Sequence, residues 1–270
     1  MQGRARNTLI IAAALLLAGT GAAWAVEVEE TFDQTYSLSP GGEVSVTNVN
    51  GQVEVESWDR DEVRIEAVKK VKASSRERAE EALEETRIEI ETTRDRIRVR
   101  TDLPSSSGGF LSWLFGNSAN AQVSYRVTVP SRADVHVRTT NGKLQVRGVA
   151  GHVEASSTNG GIDIADIRGS VDASTTNGGV SVELAEVSPD RSMSFSSTNG
   201  GIRVIVPRDA RISIDASTTN GGIRLSDLQA DVRSKSRRKL RADVNGGGPE
   251  IDISTTNGGI RIEGGRIPNS

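Results

Sequence analysis

The chain has no cysteine, and only nine aromatic residues occur among its 270, of which Trp24 falls in the first 25. The first absence excludes disulfides, thiolate metal centres and a lipid anchor on an N-terminal cysteine. The second leaves little material for a thick globular core and favours a thin, stacked β architecture of small and β-branched side chains. Histidine is nearly missing as well: His136 and His152 are the only two, and neither stands at metal-ligand or triad spacing from suitable partners. No Walker A loop, dinucleotide fingerprint, calcium-binding G-G-x-G-x-D repeat or G-x-S-x-G nucleophile context occurs. A non-enzymatic protein without cofactor or metal is expected.

A basic excess is absent too. Lys and Arg number 33 against 36 Asp and Glu. Loss of Arg4 and Arg6 with the first 25 residues leaves 31 against 36, a net charge of −5. A nucleic-acid partner is not expected from that balance. No apolar run reaches the ~20 residues that a membrane span requires. The run Leu9 to Leu17 follows Arg4 and Arg6 and precedes Ala23-Trp24-Ala25, so residues 1–25 read as a cleaved export signal. The expected address is periplasmic, or cell-surface and secreted, after cleavage near Ala25.

What the chain does have is one motif, many times over. Ser156-Ser-Thr-Asn-Gly-Gly-Ile162 recurs around Asn177, Asn199, Asn220 and Asn257, with looser copies at Asn141 and Asn50. The Asn residues at 141, 159, 177, 199, 220 and 257 are 18, 18, 22, 21 and 37 residues apart. The last step, close to two ordinary ones, suggests a degenerate copy between residues 226 and 250.

With each Asn as position zero, position −6 is Val44, Val135, Val153, Val171, Met193, Ile214 and Ile251, and position −4 is apolar throughout. Positions +3 and +5 are aliphatic in all seven copies, whereas +4 runs through Glu54, Gln145, Asp163, Ser181, Arg203, Arg224 and Arg261. Inward and outward positions thus alternate with period two on both sides of a Gly corner. Asn and Gly at the corner suggest positive φ.

Two all-β architectures fit. One is an antiparallel hairpin array, since Asn-Gly is a strong hairpin signal. The other is a β-solenoid, or β-helix-like stack, of about 18–22 residues per coil. The solenoid is favoured because Ser or Thr recurs at three positions before Asn, where stacked copies about 4.8 Å apart could form hydrogen-bonded ladders. The carboxylates Asp163, Asp172, Asp215 and Asp252 fall at outward positions and alternate with Ser and Arg, against the acid ladder of a glycan-cleaving β-helix.

Three stretches depart from the repeat. Residues 75–87 read as an inserted helix behind a Ser74-x-x-Glu77 capping box, between a strand marked by Val63, Ile65, Ala67 and Val71 and a hairpin around Arg94-Asp95. Residues 102–121 form a Ser/Gly-rich loop with an apolar tip, Phe110, Leu111, Trp113, Leu114 and Phe115, a candidate contact for a partner or a membrane. Arg233, Lys235, Arg237, Arg238, Lys239 and Arg241 form a basic run, a candidate contact for a polyanion. As a single strand that run would present Lys235, Arg237, Lys239 and Arg241 on one side. The chain therefore divides into residues 1–25, an N-terminal β part at 26–135 carrying helix and finger, and a Thr-Asn-Gly-Gly repeat part at 136–270 continuous with it.

The export signal, the V-x-V-x-x-x-N-G-x-V-x-V opening at 44–55, the Trp58-Asp-Arg-Asp-Glu-Val strand, the acidic helix and the Thr-Asn-Gly-Gly-Ile array together resemble the bacterial DUF4097 family over nearly all of 27–265. That family is described as β-strand repeat proteins and candidate adhesins, akin to head-GIN-type adhesin domains. The resemblance implies an exported envelope protein, a solenoid-like domain and no catalytic residues to carry over. The expected function is an adhesin-like binding or scaffold module, its partner an envelope protein, a glycan or a lipid surface. The alternatives are a carbohydrate-active β-helix enzyme and an envelope stress or signalling partner. The constant residues Asn141, Asn159, Asn177, Asn199, Asn220 and Asn257 read as structural turns, and any binding as the work of the variable face, the finger or the basic run.

Overall fold

The computed structural model describes residues 26–103 and 120–265. Each repeat is one coil of two strands, and the strands of a coil lie in two different sheets. Three coils follow one another simply: β8 (Asp134–Asn141) with β9 (Leu144–Arg147), β10 (Val153–Asn159) with β11 (Ile162–Ile167), and β12 (Val171–Asn177) with β13 (Val180–Leu184). β14 (Met193–Asn199) and β15 (Ile202–Pro207) continue the stack. β8, β10, β12 and β14 pair in parallel in one sheet, and β9, β11, β13 and β15 in the other. Every Asn stands opposite the next Asn: Asn141, Asn159, Asn177, Asn199. β10 and β11 do not pair across Asn159-Gly160, so the array is a β-solenoid and not a set of hairpins.

Both ends break the sequence order, and in the same way. Near the N-terminus lie β1 (Val26–Ser37), β2 (Glu43–Asn50), β3 (Val53–Trp58) and β4 (Glu62–Ala73), then α1 (Arg76–Glu85), β5 (Arg87–Thr92), β6 (Arg96–Asp102) and β7 (Asn120–Pro130). β2 and β3 stack on β8 and β9. β7 then enters between β3, to which it is parallel, and β4, to which it is antiparallel. Near the C-terminus come β16 (Ile212–Asn220), β17 (Ile223–Ser226), β18 (Ala230–Lys235), β19 (Lys239–Val244), β20 (Glu250–Asn257) and β21 (Ile260–Gly265). The last coil, β20–β21, lies between β14–β15 and β16–β17. One sheet therefore has ten strands ending at β17, the other eleven strands ending at β18.

The long step between Asn220 and Asn257 holds no degenerate coil. Residues 230–244 form the antiparallel hairpin β18–β19, which adds to β16 through pairs such as Ile214↔Ala242 and Ala216↔Leu240. Alternation at Leu240, Ala242 and Val244 turns these residues onto the end of the core, covering what would be an open, association-prone edge.

The main core is one continuous column, aliphatic except for Met193, Phe195 and Tyr125. All positions −6, −4, +3 and +5 of the three successive coils at β8 to β13 are at most 3 % exposed. Each fully buried Val or Ile there contributes roughly 1.5–3 kcal/mol. At the opposite end α1 lies across β1 and β4, packing Ala79 and Ala82 against Val71, Ala73 and Ala121. Its N-cap is Ser75, one residue later than the capping-box pattern suggests: the Ser75 hydroxyl accepts from the Arg78 amide at 3.4 Å.

Candidate functional site

The corner explains the motif by distance and not by left-handed backbone. Among the Asn-Gly corners only Gly51 has positive φ, at 121°. The other first glycines are required because the coils approach so closely: a Cβ on Gly160 would stand 1.9 Å from the Gly142 carbonyl oxygen, and one on Gly200 1.9 Å from that of Gly178. Those same carbonyls accept the inward hydroxyls at position −2. Thr175 donates to Gly160 O at 2.9 Å, Ser197 to Gly178 O at 2.9 Å, Thr255 to Gly200 O at 2.8 Å and Thr218 to Gly258 O at 2.9 Å. In the β2–β3 coil Asn48 reaches Gly51 O at 3.2 Å instead.

Outside the corner the asparagine amides form an unbroken ladder. Each Nδ2 donates to the Oδ1 of the preceding coil at 2.8–2.9 Å, through Asn220, Asn257, Asn199, Asn177, Asn159, Asn141 and Asn50. The six asparagines read as structural turns are thus held in one row. The expected ladder exists for Asn, whereas the inward hydroxyls of Thr175, Thr218 and Thr255 bond to backbone and that of Thr139 has no partner among the described residues.

The second glycine behaves differently. A Cβ on Gly161 or Gly259 would come no closer than 3.5 Å to anything, on Gly179 3.3 Å and on Gly201 3.2 Å, and on Gly222 it would meet nothing within 4 Å. Gln52 and Lys143 hold this place in other coils. Five glycines in a row leave a shallow groove of about 810 Å³ running across the strands, beside the position +4 side chains. Lys143 and Asp163, paired at 3.4 Å, lie towards one end. At the other, Arg203, Arg261 and Arg224 stand directly opposite one another on β15, β21 and β17. Glu263 pairs with Arg203 at 2.7 Å and Arg261 at 3.5 Å, and Arg224 has no ion pair among the described residues.

The basic run is not one strand face. It folds around the turn 236–238 between β18 and β19, so Lys235 and Lys239 end and begin different strands. Arg233 pairs with Asp243, and Arg241 with Asp215 at 2.8 Å. Lys235, Arg237, Arg238 and Lys239 are exposed and form no ion pair among the described residues. The Thr218 amide donates to the Arg238 carbonyl at 2.9 Å, which seats this cationic tip beside the Asn220 corner. The apolar finger Phe110, Leu111, Trp113, Leu114 and Phe115 lies outside the described residues.

His136 Nδ1 lies 3.0 Å from the exposed Glu154 Oε2, and His152 Nδ1 lies 2.8 Å from Oγ of the buried Ser170, partners that their sequence neighbourhood does not suggest. No group of three or more His, Asp or Glu with metal-binding geometry occurs among the described residues. Burial pushes the Asp252 carboxyl above the usual carboxylate range, reinforced by the like charges of Asp215 and Glu250. Burial also pushes the Tyr125 phenol up to about 12, although its hydrogen bond with Thr101 at 2.6 Å acts the other way. No helix among the described residues is long and apolar enough to cross a membrane.

Position +4 was legible as the variable outward column. Two things were not: that Arg261 lies between Arg203 and Arg224, and that the second glycines meet a much weaker steric demand than the first, none at all at Gly222. A hint of the latter was present in the sequence, since Gln52 and Lys143 replace only the second glycine.

Two sheets of parallel coils, an amide ladder and an outward groove define the chain as an all-β solenoid protein. It belongs to the family Toastrack DUF4097, whose sequence profile it matches over residues 43–263. No curated protein matches it. Among solved structures, a candidate cell adhesion protein from Clostridium sporogenes is 14 % identical, covering 87 % of this chain and 100 % of its own, with a TM-score of 0.43. A candidate adhesin from Bacteroides fragilis is 9 % identical, covering 87 % and 96 %, with a TM-score of 0.38. A candidate lipid-binding protein from Parabacteroides distasonis is 13 % identical, covering 87 % and 95 %, with a TM-score of 0.34.

Proposed function

We propose that the chain is an exported cell-envelope protein that acts as a non-enzymatic, adhesin-like binding or scaffold module. The observation that carries this reading is the division of labour within each coil. Inward positions, the first glycine and the Asn ladder are constant and consumed by stacking, while the side chains that differ between coils face water. An extended, rigid surface with changing outward chemistry suits binding along a face. Acids clustered in a cleft, which a glycan-cleaving β-helix would need, do not occur along the groove: Asp163 stands there among Lys143, Arg203, Arg224 and Arg261. The export signal read in residues 1–25 supports an envelope address.

The basic tip at Lys235, Arg237, Arg238 and Lys239 is one candidate contact, since four exposed cations without ion pairs among the described residues attract polyanions such as phosphate-bearing headgroups or acidic glycans. The test is retention of purified residues 26–270 on isolated envelopes, with crosslinking to identify what is touched. Salt-sensitive retention, without release of sugar or peptide fragments from the envelopes, is expected. Absence of retention, or fragment release above a buffer control, contradicts the reading.

A further inference from the structure

We propose that the row Arg203, Arg261 and Arg224, with the glycine-floored groove it borders, binds a linear polysaccharide carrying one carboxylate per sugar. This deepens the reading of the chain as an envelope-binding module and rests on it.

The arginine row comes first. Like charges directly opposite across neighbouring strands are destabilising, yet three guanidinium groups occupy consecutive rungs about 4.8 Å apart. Glu263 offsets two of them, and Arg224 has no ion pair among the described residues. A bound anion removes that repulsion, and a guanidinium fork holds a carboxylate through two parallel hydrogen bonds. The cationic tip of the β18–β19 hairpin, seated at the neighbouring corner, raises the local attraction for a negative chain.

The groove then selects the shape of that anion. Three of its five glycines are not demanded by packing, because an added Cβ at Gly161, Gly259 or Gly222 meets ordinary contact or open space, while at Gly179 and Gly201 it would press on a backbone oxygen at 3.3 and 3.2 Å. Their common effect is to clear the backbone for close approach along a path perpendicular to the strands. A ligand on that path crosses the strands and cannot join the sheet as another strand. A pyranose chain can lay its flat C–H faces on the bare glycine floor while its carboxylates reach the arginines at the rim. At the corners, two residues before the groove glycines, each ladder Asn spends one amide N–H on its neighbour and has a second to offer a sugar hydroxyl.

The experiment is calorimetric titration of purified residues 26–270 with polygalacturonate, its methyl-esterified form and polyglutamate. Three variants are compared: Arg203→Gln/Arg261→Gln/Arg224→Gln, Gly161→Leu/Gly222→Leu to fill the groove, and Lys235→Gln/Arg237→Gln/Arg238→Gln/Lys239→Gln at the hairpin tip. Thermal unfolding of each confirms an intact solenoid. Polygalacturonate is expected to bind the parent chain, with about tenfold weaker binding after either the arginine or the groove change and a smaller loss from the tip. The esterified polymer and polyglutamate are expected to bind at least about tenfold more weakly than polygalacturonate. Absence of polygalacturonate binding overturns the proposal, as does binding that only the tip variant weakens, or polyglutamate binding of equal strength. Envelope retention that persists in any of these cases leaves the envelope-module reading standing while this inference falls.

Discussion

Gly160 and Gly161 are adjacent, identical in chemistry and present for opposite reasons. Gly160 carries the carbonyl that receives Thr175, and its own Cα sits so close to the next coil that a Cβ would lie 1.9 Å from Gly142 O. No rotamer relieves that contact, because the backbone fixes the Cβ position and the oxygen it meets is itself backbone. Gly160→Ala must spread two coils, stretch the Asn159–Asn141 amide bond and strain neighbouring backbone pairs, at a cost of roughly 1–3 kcal/mol or more. Gly161→Ala meets its nearest atom at 3.5 Å and restricts the unfolded chain, so its effect is expected between neutral and about 1 kcal/mol stabilising. Urea unfolding midpoints of the two variants decide it. Equal destabilisation by both contradicts the assignment. In the sequence the two residues look alike; the difference lies in the spacing between coils, to which single-residue preferences are blind.

Within the elements, most of the strand pattern was readable because burial imposes it directly. Val171, Ala173, Val180 and Val182 are apolar where they meet the core, and Asp172 and Ser181 between them are not. The helix and the hairpin β5–β6 were legible from local signals of the same kind. The hairpin β18–β19 was hidden, because β18 is exposed along most of its length and the basic residues mask the inward alternation of Leu240, Ala242 and Val244. Neighbouring strands also create chemistry that no strand has alone. Asp252 on β20 lies opposite Asp215 on β16, and burial together with Asp215 and Glu250 raises its pKa above the ordinary 3.8. The folded chain then holds this proton to higher pH than the unfolded chain does. Stability from this group is therefore greatest at low pH and falls as pH rises from about 3.8 through the folded value. Asp252→Asn is expected to raise the melting temperature at pH 7 and to leave it nearly unchanged at pH 3. A variant less stable than the parent at pH 7 contradicts the argument.

For the molecule as a whole, the solenoid was legible and its stacking order was not. Coils with the same corner and the same inward residues have interchangeable edges, so no local signal states which coil lies beside which. The connections decide it. The Asn245 side chain donates to the carbonyls of Arg208 and Ala210 at 2.9 and 2.8 Å, holding the β15–β16 link where it passes over the inserted coil. Gly248 and Gly264 admit that coil: a Cβ on either would lie 2.2 Å from Arg211 O or 2.0 Å from Asp227 O. The insertion places Arg261 between Arg203 and Arg224 and so assembles the proposed anion row. It also flanks the C-terminal strands β20 and β21 with neighbours on both sides, where simple repeat order would leave them at the edge.

Because the chain has no cysteine of its own, paired cysteines can report that order cleanly. Ser196 stands opposite Ser254, and Ser254 opposite Ser217, at a strand spacing of about 4.8 Å that a disulfide spans. Ser196 and Ser217 are two strands apart, beyond its ~7 Å reach. Under mild oxidation of the folded protein, Ser196→Cys/Ser254→Cys should close a disulfide and Ser196→Cys/Ser217→Cys should remain reduced. Closure of the second pair and not the first would mean that the coils stack in sequence order, and the inserted coil would be wrong.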